Sequence, residues 1–319
     1  MTETGHTAAK HESLLIPLLL LVGGASLYGS IFATNQFVSN AGVPPMAYTF
    51  WQSFVMSIIL LVLAAITGNI PPGSFRHIRH YAITSSLGIV IPVIVLAIVA
   101  AKLQAGVVTL LITLTPGITY IYAMVLRVER FRWLGIGGVL LGLLGVALIV
   151  VPDGSLPGSE DAIWVIFLLI VPFCFASNNI YVAIVKPPQT TTIMLATGLV
   201  IGAATISFLV MMIGEGFYPA WNAPMQGILG ILWAGFVGAI GFYCMFEIIR
   251  RTGPVFFAQY NYVIVITGIL WSLVLLDEAL SNWIWIAFAV MLGGLLLANE
   301  AARRGLREAA NRSLQSKAP

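Results

Sequence analysis

The side chains in this sequence that could do chemistry are mostly uncharged, and they fall inside apolar runs. Gln259-Tyr260-Asn261-Tyr262 is the densest such group; amides and phenols offer hydrogen bonds to a solute rather than a nucleophile or a general base. On a helix of about 3.6 residues per turn these four cannot share one face, so at most two or three can line a common space. The alternative use of Gln259, Tyr260 and Asn261 is to tie their helix to its neighbours. A second group is Tyr28, Ser30 and Asn178. Tyr28-Gly29-Ser30 and Phe175-Ala176-Ser177 repeat an aromatic residue, a small residue and a serine in the same order, with Asn178 and Asn179 following directly. These residues either line a cavity or let helices approach closely. Trp51 and Gln52 in one run, and Thr113 in another beside Thr115 and Pro116, complete the cavity candidates. Threonine is a weak witness, because its hydroxyl can bond to the carbonyl four residues back. Pro116 must disturb its helix, as a static kink or as a hinge.

Glu247 is the acid placed inside an apolar run. It precedes Arg250 and Arg251 at helical spacing, so it is either their ion-pair partner or a proton or cation site beside Tyr243. Catalysis gets no support. His77 and His80 stand in one basic stretch without a converging Asp or Cys, and Cys174 and Cys244 sit in apolar runs without metal-ligand spacing. No metal, cofactor or disulfide framework is expected.

The elements that must position these groups are lipid-embedded helices. The chain is 59% hydrophobic and 8% charged over 319 residues, with a mean hydropathy of +0.98, against roughly 25% charged in a soluble domain. Apolar surface in that excess has to face lipid as well as core. Crossing a hydrocarbon layer of about 30 Å takes about 20 helical residues, and ten runs qualify: Leu14 to Thr34, Pro45 to Thr67, His80 to Ala101, Gln104 to Leu126, Trp133 to Val151, Ala162 to Val185, Thr191 to Ile213, Gly227 to Ile249, Pro254 to Leu276 and Trp283 to Ala298. The first continues too far for a signal-peptide core of about 7–15 residues, so no cleaved signal is expected. With the N-terminus in the cytoplasm, all of the 15 Lys and Arg residues except Lys102 fall on the cytoplasmic side, as the positive-inside rule requires. The net charge of +3 is spread over short loops and one tail, which excludes a nucleic-acid surface.

An offset of 149 residues aligns Glu129 with Glu278 and Gly145 with Gly294. Five spans in each half is an odd number, so the second half must be inverted relative to the first. An apolar span with Pro116, then Glu129, then a helix with Gly138, Gly142 and Gly145 resembles the EamA-type repeat of the drug/metabolite transporter superfamily. Tyr28-Gly29 resembles the aromatic-Gly pair of that family, and the resemblance covers roughly residues 14 to 299. Three features depart from it. Gln52 stands where many relatives have Arg, Val265 where the second repeat often has Pro, and Val128 and Asp277 precede the glutamates where Gly is usual.

The resemblance implies an all-α membrane protein of ten helices, two inverted five-helix repeats around a central cavity, with cytoplasmic termini and no enzymatic activity. The segments are then a tail over 1–13, a first repeat over 14–151, an external linker over 152–161, a second repeat over 162–299 and a basic tail over 300–319 suited to anionic lipid. The expected function is export of a small neutral or zwitterionic metabolite, with amino acids foremost, across a bacterial inner membrane by a monomer or homodimer. An organic-anion or sugar-phosphate carrier should show a mid-membrane Lys or Arg, which is not seen in the sequence. A membrane scaffold or receptor is the reading from another class.

Overall fold

The computed structural model describes residues 15–127, 131–150, 161–185, 187–252 and 260–315. The expected features at Glu129 and Gln259, the start of the ninth run at Pro254, the tail over 1–13 and most of the linker over 152–161 lie outside these residues. The described chain is helical throughout: α1 Leu15–Asn40, α2 Pro45–Ile66, α3 Phe75–Val99, α4 Ala105–Val125, α5 Trp133–Val150, α6 Ala162–Ile184, α7 Thr192–Gly214, α8 Met225–Thr252, α9 Tyr260–Leu276 and α10 Asn282–Gln315. Nine of them contain an apolar stretch long enough to cross a membrane, and α9 is shorter as described.

Local sequence explains the ends. Pro44 is extended and Pro45 opens α2, where a missing N–H costs nothing. Thr191 caps α7 by accepting from the Met194 N–H at 3.3 Å. Two further caps come from distant carboxylates. Glu215, just past α7, accepts from the Met46 and Ala47 N–H groups of α2 at 3.1 and 3.0 Å. Glu278, just past α9, accepts from the Ala105 and Gly106 N–H groups of α4 at 2.6 and 3.1 Å. Each carboxylate therefore satisfies two orphan donors, with its charge at the positive end of a helix dipole. Each also joins the second half of the chain to the first.

Helices in corresponding positions of the two halves pack on each other: α2 on α7, α4 on α9 and α5 on α10. All three pairs are antiparallel. Gly138 faces Gly294 and Ala298, while Gly145 faces Met291 and Ala287, so the partner number falls as the α5 number rises. The same holds for Met46 and Thr197 against Gly214 and Leu60, and for Gly106 and Thr109 against Ser272 and Gly268. The two halves thus run in opposite directions. α1 packs on α8 and α9, and α6 packs on α3 and α4, so each half inserts its first helix between the third and fourth of the other. The largest buried cluster, from Phe32, Val38, Tyr48, Val95, Leu110, Leu168 and Ile269 outward, fills the arginine-poor end. Smaller clusters occupy the other end.

Two predictions follow from these contacts. Gly138→Leu would place a Cβ 2.7 Å from the Gly294 carbonyl and 2.9 Å from the Ala298 nitrogen; backbone cannot yield as a side chain does. A drop in detergent melting temperature is expected, from overpacking of about 1–3 kcal/mol, whereas Gly23→Ala, with open space around it, should melt unchanged. Glu278→Ala leaves the Gly106 N–H without its carboxylate while Gln36 still accepts from Ala105; a loss of about 1–3 kcal/mol should appear in the same melt.

Candidate functional site

Two proline effects shape the middle of the bundle. α4 is broken between Ala105–Ile112 and Thr115–Val125, and Pro116 sits in the first turn of the second piece. Thr113 and Leu114 at the break make tight bonds to Leu110 and Leu111, and the Thr113 hydroxyl donates to the Leu110 carbonyl at 2.6 Å. Pro92 follows a π-helical turn, Ser86–Val90, in the middle of α3. Such turns accommodate a missing N–H and recur at functional positions.

Around these breaks the first helix of each half presses a polar side chain against a glycine in the third helix of the other. The Tyr28 ring of α1 lies on Gly241 of α8, and the Asn178 amide of α6 lies on Gly88 of the π turn. A Cβ at either glycine would occupy the space these side chains use. Tyr28 is half-buried, and no described residue takes its hydroxyl as a hydrogen-bond partner. The Oδ1 atom of Asn178 is buried without a partner among the described residues, as is Oε1 of Gln52, a residue 1% exposed. Unpaired buried oxygens of this kind are costly in a protein interior and call for a functional account.

The remaining sequence candidates separate by what their polar atoms do. Ser30 is buried; its hydroxyl donates to the Leu27 carbonyl at 2.6 Å and accepts from the Trp233 indole of α8 at 2.9 Å. Trp51 donates to the Tyr218 carbonyl at 2.8 Å and joins an aromatic group with Phe50, Phe54, Phe217 and Trp221 at the arginine-poor end. Tyr260 is buried against Gly24 beside Cys244, and Asn261 is half-buried. Their neighbour Tyr262 accepts from Asn299 at 2.7 Å and donates to the Leu295 carbonyl at 3.2 Å, which ties α9 to α10. Tyr243 and Glu247 line a pocket of about 60 Å³ with Leu60, Leu63, Thr192, Ile193 and Ala196, between α2, α7 and α8 at the arginine-rich end.

Sequence reasoning passed over several participants. Gly88, Pro92 and Gly241 build the helix surfaces that receive Asn178 and Tyr28, and a proline inside an apolar run was the available signal for the first two. Tyr48 donates to the Asn35 amide oxygen at 2.6 Å in the core. His80 is buried and stacked on Tyr181 of α6 at 5.3 Å, and His77 bonds Ser74 and the Pro188 carbonyl. Among the described residues no group of three or more His, Cys, Asp or Glu could hold a metal ion, and Cys174 and Cys244 are free thiols. The site offers hydrogen bonds and aromatic surface.

A solved crystal structure, titled only as that of a protein, superposes with a TM-score of 0.63 at 20% identity, covering 89% of this chain and 97% of the other. That likeness speaks for the fold. No curated protein matches the chain. The EamA-like transporter family matches it twice, over residues 15–151 and again over 162–299. With a repeat of that family in each of its oppositely directed halves, this integral membrane protein belongs to the EamA-like transporter family.

Proposed function

We propose that this chain is a secondary transporter that exports a small neutral or zwitterionic metabolite by alternating access, with amino acids the leading class. The carrying observation is the pair of unpartnered amide oxygens, Gln52 Oε1 and Asn178 Oδ1, in spans whose middles carry no Lys, Arg, Asp or Glu among the described residues. A fixed cation would be needed to offset a phosphate or a dicarboxylate in this low-dielectric setting, while a neutral or zwitterionic solute can be met by amides, a phenol and main-chain carbonyls.

In this reading the solute passes between the oppositely directed halves, near Tyr28, Gln52 and Asn178, and the break at Pro116 lets the two pieces of α4 tilt separately. Opposed repeats can exchange conformations, so that a site between them opens to one face and then the other. The largest apolar core cluster lies at the arginine-poor end, and the pocket lined by Tyr243 and Glu247 lies at the arginine-rich end, where this reading puts the opening. In a bacterial inner membrane the arginine-rich end, with both termini, faces the cytoplasm. The Glu247 carboxylate at that mouth can carry a proton or a cation.

Proteoliposomes loaded with labelled amino acids should show protein-dependent efflux and counterflow. Gln52→Leu should lower that flux about tenfold, the weight of one hydrogen bond near 1.4 kcal/mol, yet melt at the same or a higher temperature, because it removes an unpaired buried oxygen. Flux absent for every amino acid, or present only for phosphorylated or dicarboxylic solutes, sinks the reading. For orientation, a fluorescent protein fused after Pro319 should fluoresce and alkaline phosphatase fused there should be inactive; the reverse pattern overturns cytoplasmic termini.

A further inference from the structure

Pro92 brings no N–H to its helix, so one main-chain carbonyl in α3 loses a donor. The π turn Ser86–Val90 sits directly before it, and the Ile91 N–H reaches back to the Ser86 carbonyl. The next bond in that register would end on the Leu87 carbonyl, and in the ordinary α register on the Gly88 carbonyl. Residue 92 can serve neither. A main-chain acceptor without its usual helical donor therefore lies at the middle of a membrane span, where lipid offers no substitute.

Beside it stands Asn178 of α6. A Cβ on Gly88 would lie 3.3 Å from its Nδ2, 3.5 Å from its Cγ and 3.6 Å from its Oδ1. The absent side chain at residue 88 admits the amide, nitrogen end nearest. The oxygen end is buried and has no partner among the described residues. A main-chain acceptor in the π turn and an amide acceptor on the helix packed against it thus both belong to the α3–α6 seam, and no carboxylate among the described residues stands there to make the site anionic.

We propose that the π turn and Asn178 form the subsite that takes the protonated primary amine of the substrate. This rests on the transport reading above and narrows it to amine-bearing solutes. An ammonium group brings three donors and no acceptor, the complement of a surface made of carbonyl oxygens, whereas a carboxylate would bring acceptors to acceptors. Neutral oxygens suffice for a group that must also leave; a fixed carboxylate would hold it too firmly in low dielectric.

The test uses the full-length protein with three probe sets: the amino acids, their amides, which lack the carboxylate, and their N-acetyl derivatives, which lack the ammonium. Binding is read as a shift in melting temperature and transport as competition for flux in proteoliposomes. The amides should compete about as well as the parent amino acids, and the N-acetyl forms about tenfold worse or less. Asn178→Leu should erase that discrimination, while Asn178→Asp, which keeps an acceptor and serves as the folding control, should retain or sharpen it. Gly88→Ala should displace the amide and weaken binding of both amine-bearing sets. N-acetyl forms that bind as well as the parents, discrimination that survives in Asn178→Leu, or no binding by any amine-bearing probe each overturn the subsite. Flux without discrimination overturns the subsite and leaves transport standing; discrimination in binding without flux does the reverse.

Discussion

Lipid cannot hydrogen-bond a main-chain amide, and almost every feature of this structure answers that constraint. Inside a span the answer is the helix itself. At helix ends, where the first donors have no partner, the chain brings in groups from elsewhere: Glu215 for α2, Glu278 with Gln36 for α4, Thr191 for α7. Two of those answers are also the ties between halves of the chain. Joining the halves at the arginine-poor end and satisfying two helix N-termini are consequently one arrangement, made by four carboxylate hydrogen bonds.

Where the constraint is only partly answered, function has room. Pro92 and Pro116 each remove a donor in the middle of a span, and the chain responds differently to each. α3 widens by one π turn and stays continuous, whereas α4 stops at Thr113 and Leu114 and starts again. The first response leaves a main-chain carbonyl without its helical donor in the turn that packs against Asn178. The second divides a helix into two bodies. Gln52 and Asn178 then carry polar atoms that the fold itself does not use. Apolar replacements would relieve that cost, which is the trade expected when a bundle keeps a polar surface for a solute it must bind and release.

Packing without a hydrophobic driving force between helices relies on close approach, and the glycines supply it. Gly138 and Gly294 bring α5 and α10 near enough for backbone contact, which leaves that pair little freedom to shift. α1 and α6 each lie between two helices of the opposite half; α1 meets α9 where Gly29 faces the Gly268 and Ile264 backbone, and each carries a polar side chain, Tyr28 or Asn178, seated on a glycine of the opposite half.

The sequence alone determined that the chain lives in lipid, that it is helical, and that it carries two EamA-type repeats, because those properties are local and additive: run lengths, hydropathy and short motifs such as Pro116 with the glycines of α5. The antiparallel relation of the halves was also legible, as arithmetic on the spans. Which polar residue meets which partner was decided only by the tertiary structure. In a soluble helix the polar face announces its own direction, but here lipid-facing and core-facing sides are both apolar, so the rotation of each helix about its axis is nearly silent in the sequence. Ser30 and Tyr28 lie two residues apart; the bundle joins one to Trp233 and gives the other's hydroxyl no hydrogen-bond partner among the described residues. Tyr262 and Gln52 could have exchanged roles on composition alone; the neighbouring Asn299 occupies one, and no such neighbour among the described residues pairs the buried Oε1 of the other.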